Sequence, residues 1–389
     1  MNRSMLALVC GLTLLTTMGI SSLLPSLPLL AAHFGASPEE SWKIISAFAL
    51  PGLLCVPLVG VWADRYGRKR VLVPALLLFA FGGLCCMFAR TFSELLFFRA
   101  IQGAGSAPLG LLYATIIADT WQGEHRLKAM SRSVIFLGLG TAAGPALGGA
   151  LSMLHWNLPF LLCLPALPVA ALALRLPLLR PERRASFRTY AGGVFACARQ
   201  KQTLVLLALT LLTFIMLSGP IITAFPLLAS QKFQASTLEC GLIIAVSSLA
   251  SGLAALALPL LYRRTSTRAL LLASCALYAA ALCSLAGTSA LWLLPLPITV
   301  YGFAQGLNIP LVSTLLTGQA SDEQRAGLMA ANAVLLRLGQ NVGPLLFGAL
   351  TGLIGPAGAI ASGTALAAIM AALVAATSLP RLRLRENAE

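Results

Sequence analysis

The sequence predicts an all-α integral membrane protein in which twelve transmembrane helices form two parallel six-helix halves. Three observations support this class. Of the 389 residues, 58% are hydrophobic and only 10% are charged, whereas soluble globular proteins carry about 25% charged residues. Apolar runs that can cross a bilayer, which takes about 20 residues, follow one another along the chain. The second half of the chain also repeats features of the first.

Twelve apolar segments define the predicted spans, which we number in chain order. Open sheet edges cannot lie in lipid, so each span is predicted to be a helix. The first segment contains Pro25 and Pro28 and is too long for the apolar part of a signal peptide, so we interpret it as span 1. The predicted spans cover residues 4–31, 42–62, 71–89, 94–118, 131–153, 157–177, 203–228, 238–261, 269–287, 291–317, 327–353 and 357–379.

One long connection divides the chain into halves. An arginine-rich linker at 178–202 separates an N-terminal half, 1–177, from a C-terminal half, 203–379, and a basic tail follows at 380–389. Most of the 27 lysines and arginines fall on the side of the two termini, because the opposite loops hold only Lys43, Arg90 and Lys232. The positive-inside rule therefore predicts that both termini are cytoplasmic.

Composition and motifs exclude several other classes. The net charge of +15 lies in short clusters between apolar spans, so we predict a lipid bilayer around the chain and no nucleic-acid partner. The nine cysteines form no CxxC pair and lie mostly in apolar segments, which predicts no metal site. Because catalytic clusters at membrane depth and a phosphate-binding loop are also absent, we do not expect an enzyme or an ATP-driven pump.

Several features recur in the second half at nearly constant separation. Two parallel repeats of six helices place a binding site between the halves, near the middle of the membrane. The features of the first half and their counterparts are Pro-Leu-Leu-Ala at 28–31 and 226–229, Gln-Gly at 102–103 and 305–306, Asp119 and Asp322, and Gly140, Gly144 and Pro145 with Gly339, Gly343 and Pro344.

The loop between spans 2 and 3 carries a distinctive motif, Gly-Val-Trp-Ala-Asp-Arg-Tyr-Gly-Arg-Lys-Arg at 60–70. Gly67 permits a tight turn. Asp64 lies at the inner end of span 2, where the positive N-terminus of a neighbouring helix would stabilise its charge. The counterpart loop at 262–268 has no aspartate. A simple topology anchor is the alternative interpretation of this loop.

Span 5 contains closely spaced glycines. Gly140, Gly144 and Gly148 share one helix face and allow another backbone to approach, while Pro145 kinks the helix. Generic small-residue packing is the alternative interpretation. The predicted packing and gating residues are Gly140, Gly144, Pro145, Gly148 and Gly149, with Gly343 and Pro344 as a weaker copy in span 11.

Two arginines are predicted inside the membrane. Arg99 lies about 8–9 Å and Arg337 roughly 15–18 Å from the nearer end of its helix. A charge at membrane depth predicts function, although Arg99 could instead extend to the interface. Gln340 and Asn341 share a face with Arg337, where they either line a cavity or bond to a neighbouring helix.

No span contains a carboxylate within its apolar part, because the twelve acidic residues lie near span ends or in loops. Two buried arginines without a buried acid favour a neutral or anionic substrate. Glu94 is the acid nearest to Arg99, which makes it the candidate proton carrier.

These motifs resemble those of the major facilitator superfamily and, within it, the twelve-span drug:H+ antiporters. The resemblance covers essentially the whole chain and implies the following roles. Gly60, Asp64, Arg65, Gly67 and Arg68 latch the cytoplasmic side against span 11, and Arg99 with Glu94 couples transport to protons. The glycine motif of span 5 seals the contact with span 8. The predicted substrate cavity contains Gln102, Gln305, Asn308, Arg337, Gln340 and Asn341.

The resemblance predicts a secondary active exporter that moves small amphiphilic molecules by alternating access. The proton gradient is its expected energy source, with no cofactor, and we expect a monomer in a bacterial inner membrane. Two alternatives keep the same fold. One exports an anionic or neutral metabolite of siderophore or sugar type, and the other is a facilitator without proton coupling.

Overall fold

The computed structural model describes residues 3–177, 200–319 and 322–377, and all of the regular elements in these ranges are helical. Nine stretches there are long and apolar enough to cross a membrane. One of them, Ala331–Ala375, is interrupted at Gly355, where φ is 74°, so it crosses twice. Trp42–Tyr66 and Pro295–Gln319 are 25 residues each, which is also sufficient to cross. The described chain therefore makes twelve crossings, as predicted.

The N-terminal half contains spans 1 to 6. Their outer boundaries lie within four residues of the predicted ones, except that span 5 begins at Gly123, eight residues before its predicted start. The helical segments are Arg3–Ser21, Leu24–Ser26 and Leu27–His33 in span 1, Trp42–Tyr66, Arg68–Met87, Phe92–Thr120 and Gly123–Leu154 in spans 2 to 5, and Leu158–Cys163 with Ala166–Arg175 in span 6.

The C-terminal half contains spans 7 to 12. Residues 178–199 of the predicted linker and the predicted tail at 380–389 lie outside the described ranges. The helical segments are Lys201–Met216, Leu217–Ala224 and Phe225–Phe233 in span 7, Thr237–Arg264 and Thr267–Gly287 in spans 8 and 9, Leu291–Leu293 with Pro295–Gln319 in span 10, and Asp322–Ala375 for spans 11 and 12 together.

Spans 1, 6 and 7 differ from the continuous helices that the apolar pattern predicts. Span 1 changes to a 3-10 turn at Leu24–Ser26, and span 6 begins with a 3-10 segment, Leu158–Cys163. Span 7 contains a π-helical segment, Leu217–Ala224, around Pro220. Each irregular segment contains a proline, which cannot donate a helical hydrogen bond. Hydropathy registers length and apolarity only, so it does not detect these breaks.

The duplication is visible in the packing of the first and fifth helices of each half. Ser21 in span 1 donates a hydrogen bond to the carbonyl of Gly140 in span 5, at 3.2 Å. In the second half, Ser218 in span 7 donates to the carbonyl of Gly339 in span 11, at 3.1 Å. The equivalent pairs use the same residue types, so the two repeats share their internal architecture as well as their sequence motifs.

The two halves meet at one end of the bundle. We call the end where spans 1 and 7 begin, at Arg3 and Lys201, the linker end, and the opposite end the hairpin end. At the hairpin end, Thr237 Oγ1 of span 8 donates to the carbonyl of Gly149 in span 5, at 3.0 Å. Another contact between the halves at this end joins spans 2 and 11, where Gly348 faces the ring of Trp42. Small residues thus allow the halves to approach closely at this end.

Candidate functional site

Arg99 is fully enclosed by the N-terminal half, with 1% of its surface exposed. Its Nη1 donates to the carbonyl of Gly19 at 3.2 Å and to Oε1 of Gln102 at 2.5 Å. The guanidinium also lies over the ring of Phe48, 4.2 Å from the ring centroid. These contacts hold the guanidinium among the helices of the N-terminal half. Arg99 therefore does not extend toward the membrane surface, which was the alternative interpretation of this residue.

The charge of Arg99 is stabilised by dipoles, since no ion pair to it is present among the described residues. Gly19 lies in the last turn of the first helix of span 1, which ends at Ser21. The carbonyls at a helix C-terminus carry partial negative charge, and an aromatic face attracts a guanidinium. Arg99 Nε is buried without a hydrogen-bond partner. The site therefore holds a cation with one donor still available.

Glu94 lies away from this cluster, in the first turn of span 4, and is exposed. Its Oε2 accepts a hydrogen bond from the Arg90 backbone N at 2.8 Å, and its own N–H donates to Thr91 Oγ1 at 3.2 Å. These bonds cap the N-terminus of the span 4 helix. The structure does not bring Glu94 and Arg99 together, and the coupling role of Glu94 stays a prediction.

Arg337 lies where the two halves face each other. A Cβ added to Gly110 of span 4 would lie 3.2 Å from Arg337 Nη2, so the guanidinium extends from span 11 to the opposite half. Arg337 Nη1 donates to Gln340 Oε1 at 3.2 Å, and Asn341 Nδ2 donates to the Arg337 carbonyl at 2.8 Å. Asn341 Oδ1 is buried without a partner. The predicted polar stripe is therefore a connected group with unused hydrogen-bonding capacity.

The other predicted cavity residues have different surroundings. Gln102 is buried against Arg99, whereas Gln305 is partly buried in span 10. Asn308 is 1% exposed and joins three helices, because its Oδ1 accepts from Thr213 at 2.9 Å and its Nδ2 donates to Ser274 at 3.2 Å. Asn308 thus fastens spans 7, 9 and 10 together, and a direct contact with substrate remains a prediction for it.

The motif loop ties span 3 to its neighbours. Gly67 has φ 95° and forms the turn between spans 2 and 3. Arg68 is buried, and its Nε lies 3.1 Å from Asp119 Oδ2 at the end of span 4. Lys69 Nζ donates to the carbonyls of Leu174 and of Leu176, the latter at 3.2 Å. Three helix ends of the N-terminal half are therefore joined by two consecutive basic residues.

The structure describes fewer contacts for the three other predicted latch residues. Gly60 and Asp64 lie in the last turns of span 2, and their side-chain surroundings are outside what the structure describes. Arg65 is exposed, and its guanidinium lies 5.7 Å from the centroid of the Tyr66 ring. The latch between Asp64 and span 11 stays a prediction.

The glycine motif of span 5 faces two partners. A Cβ at Gly140, Gly144 or Gly148 would overlap span 1, at Thr17, Ser21 and Ser22 respectively. Contact with span 8 instead involves Gly149 against Thr237 and the Pro145 carbonyl against Gly241. The resemblance assigns the whole motif to the span 5–8 contact, but most of its glycines serve the packing of spans 1 and 5. The copy of this motif in span 11 also packs against the first helix of its half, because Gly343, which precedes Pro344, contacts Ser218 of span 7.

Two contacts of the site were not predicted from sequence. Phe48 gives Arg99 an aromatic face, and Asp119 gives Arg68 its ion-pair partner. Asp119 could have been found, because an aspartate recurs at the equivalent position, Asp322. Phe48 has no comparable signal in an apolar span. Within the described residues, no group of three or more His, Cys, Asp or Glu side chains is placed to bind a metal ion.

Two six-helix repeats that face each other across a polar group at Arg337 have the architecture of a repeat-built membrane transporter. Comparison with known proteins identifies the family. The Major Facilitator Superfamily profile matches residues 9–219 and 206–388. The chain belongs to the major facilitator superfamily, and it is an integral membrane transporter and not an enzyme.

Two curated relatives match part of the chain. The "Bacillibactin exporter" of Bacillus subtilis is 30% identical over 154 residues, which is 38% of this chain and 38% of that protein. The "Putative multidrug resistance protein MdtD" of Yersinia pestis is 35% identical over 169 residues, which is 42% of this chain and 35% of that protein. The matched regions thus span little more than a third of these relatives.

Solved structures match over nearly the whole chain. The human organic anion transporter MFSD10 (TETRAN) has a TM-score of 0.70 at 22% identity, over 96% of this chain and 99% of that chain. The nucleoside transporter NupG has a TM-score of 0.76 at 14% identity, over 95% and 99%. At these identities the likeness concerns the fold alone.

Proposed function

We propose that this protein is a secondary active exporter that moves small amphiphilic molecules out of the cytoplasm in exchange for protons. The two halves would rock about a site at Arg337, in the manner of repeat-built transporters. Two curated relatives are named as an exporter and as a putative multidrug resistance protein, which supports export as the direction. The transporter is a monomer that needs no cofactor other than the proton gradient.

Arg337 is the observation that carries the proposal. Its guanidinium crosses from span 11 to Gly110 in the other half, and it has no ion pair among the described residues. A cation at the boundary between two moving halves attracts an anionic group and repels a cationic one. We infer that anionic and neutral amphiphiles, such as a siderophore-like or sugar-like metabolite, are better substrates than cations.

The proposed orientation places both termini in the cytoplasm of a bacterial inner membrane. It rests on the distribution of lysine and arginine between the loops. In this orientation the hairpin end faces outward. The contacts of Gly149 with Thr237 and of Gly348 with Trp42 then close the outer side. The substrate would enter from the cytoplasmic side in this conformation.

Proton coupling is assigned to Arg99 in this proposal. The described spans provide a buried arginine, Arg99, but no ion pair links it to a carboxylate. Arg99 would influence coupling by biasing the charge of a group that approaches it during the cycle. A facilitator without coupling is the second candidate, and it is favoured by the same lack of a buried acid.

The test uses purified protein in liposomes that contain a pH-sensitive dye. A pH gradient is imposed, and matched anionic, neutral and cationic amphiphiles are added in turn. Proton movement with anionic or neutral compounds supports the proposal. Labelled-substrate flux without proton movement would instead identify a facilitator, and proton movement with cations alone would contradict the inferred substrate charge.

The variant Arg337→Ala tests, in the same assay, whether Arg337 binds substrate or only packs between helices. We expect it to weaken transport of anionic compounds by roughly fivefold or more, while cationic compounds change little, since about 1 kcal/mol corresponds to this factor. Arg264→Ala, at the exposed end of span 8, is the matched control. Equal losses for all substrate charges would show that Arg337 packs and does not bind.

A further inference from the structure

A groove opens between spans 2 and 3 at the linker end. The two helices are joined at Gly67 and diverge from that turn, while span 4 lies behind both. The space between them has a volume of about 590 Å³, within the range of about 300–1,000 Å³ that is usual for ligand sites. Ala104 and Pro108 of span 4 form its floor. Their small side chains leave room that a larger residue would fill.

The groove lies on the face of span 4 opposite the boundary between the halves, because Pro108 in the groove and Gly110 beside Arg337 are two residues, or about 200°, apart around the helix. In the membrane this face would meet lipid. Trp62 and Tyr66 form one wall and are 48% and 49% exposed, and Leu78 on the opposite wall is 39% exposed. From Arg70 to Leu78 the helix rises about 12 Å, most of the roughly 15 Å that one leaflet contributes to the hydrocarbon core. The length and the apolar walls suit a single acyl chain lying parallel to the helices.

Arg70 gives the groove a charged mouth. Three neighbouring basic residues have partners, because Arg68 pairs with Asp119, Lys69 binds carbonyls at the end of span 6, and Arg65 lies over an aromatic ring. Arg70 is exposed, and no described side chain forms an ion pair with it. A cation at the end of an apolar groove, at headgroup level, matches an anionic lipid.

We propose that this groove binds one phospholipid with an anionic headgroup. Its phosphate lies at Arg70, and one of its acyl chains lies between Trp62 and Leu78. This lipid site lies on the outer surface of the N-terminal half, on the face of span 4 opposite Arg337, and is independent of the substrate proposed above. Bound lipid would fill the gap between spans 2 and 3 and so support the motif loop from the membrane side.

Trp62 provides the probe for a direct test. The full chain in detergent is titrated with phosphatidylglycerol or phosphatidylcholine, both with brominated acyl chains, which quench tryptophan emission on contact. The signal from Trp62 is the difference between the wild type and Trp62→Phe. We expect saturable quenching at roughly fivefold lower concentration of phosphatidylglycerol, the factor for one basic residue near an anionic headgroup.

Two matched pairs of variants identify the site. Arg70→Gln should remove the preference for phosphatidylglycerol, whereas Arg264→Gln, at the equivalent end of span 8, should retain it. Leu78→Phe should obstruct chain binding, whereas Leu77→Phe on the same helix, 47% exposed but outside the groove, should not. Equal affinity for both lipids, equal effects within either pair, or displacement of bound lipid by a transported amphiphile would overturn the proposal.

Discussion

The loops that join spans 2 to 3 and 8 to 9 occupy equivalent places in the two halves but differ in chemistry. In the first loop the buried Arg68 pairs with Asp119, at 3.1 Å. The equivalent of Arg68 in the second loop is Thr267, whose hydroxyl lies 3.0 Å from that of Tyr262. An ion pair between helices has thus been replaced by a neutral contact between the two ends of one loop. Among the side chains that the structure describes, an ion pair at this loop is present in the first half.

The next residue of each loop, by contrast, makes the same kind of contact in both halves. Lys69 donates to carbonyls at the end of span 6, and Arg268 donates to the Ala375 carbonyl at the end of span 12. Each cation meets the negative end of a helix dipole. This contact requires only a basic residue of sufficient length, so either side chain suffices. The duplication has therefore preserved contacts that hold each half together, while charged connections between particular helices have diverged.

The buried arginines extend this comparison. Arg99 corresponds to Gly302 in the second half, where a Cβ would overlap the Ser247 carbonyl. Arg337 corresponds to Gly138, which has nothing within 4 Å of an added Cβ. Spans 8 and 10 approach too closely at Gly302 to accept an arginine. Each half therefore carries one arginine at membrane depth, Arg99 or Arg337, at a position that its counterpart does not reproduce.

The largest effect is expected at Gly148, where the packing of spans 1 and 5 leaves no space. A Cβ there would overlap the Ser22 backbone carbonyl, so Gly148→Ala should destabilise the fold by about 3 kcal/mol, the upper end of overpacking costs. The measurement is the melting temperature in detergent. Gly138→Ala on the same span should change it little, and equal shifts for the two variants would refute the packing of spans 1 and 5 described here.

Arg99 provides the next largest effect, on transport. Arg99→Ala should reduce proton-linked export by roughly tenfold or more, equivalent to about 1.4 kcal/mol. Arg99→Lys should restore it only in part, because an ammonium lacks the planar guanidinium that stacks on the ring of Phe48. The liposome assay with its pH-sensitive dye measures both. Full proton-linked export in Arg99→Ala would leave the residue a purely structural role.

The loop motif is expected to affect rate more than stability. Asp64→Asn should slow transport severalfold while leaving membrane insertion unchanged, since a neutral amide loses its attraction to a positive helix end, typically 0.3–1 kcal/mol and up to about 2. Turnover in liposomes and the amount of folded protein are measured together. Unchanged turnover would refute the latch at this position.

Arg68→Thr tests the comparison of the loops directly, because it gives the first half the residue of the second. We expect a loss of about 1–3 kcal/mol in stability, since the ion pair with Asp119 is partly buried. Exchanging the charges, with Arg68→Asp and Asp119→Arg together, should recover part of the loss in melting temperature. A double variant no more stable than either single variant would show that the pair contributes no direct attraction.

Much of the fold follows from sequence, because apolar length and basic loops are strong one-dimensional signals. The twelve crossings were predicted correctly, whereas the π segment around Pro220 was not, since apolar length does not register the hydrogen bond that a proline cannot donate. Within the candidate site, sequence predicted Arg99 and Arg337 inside the membrane, and the structure buries Arg99 fully and Arg337 partly. It did not identify their partners, Phe48 and Gly110, because contacts between distant helices leave no mark in one sequence.

The smallest effects are expected at the contact that both halves share, between a basic loop residue and the end of a helix. Lys69→Arg and Arg268→Lys should leave the melting temperature within error, because each keeps a cation at the end of a helix. Lys69→Met and Arg268→Met should each cost about 0.3–1 kcal/mol, the usual contribution of a charge at a helix terminus. The two losses should also add, since the contacts lie in separate halves. A loss for Lys69→Met that far exceeds that for Arg268→Met would mean that the first loop remains functionally distinct even in the contact that both halves share.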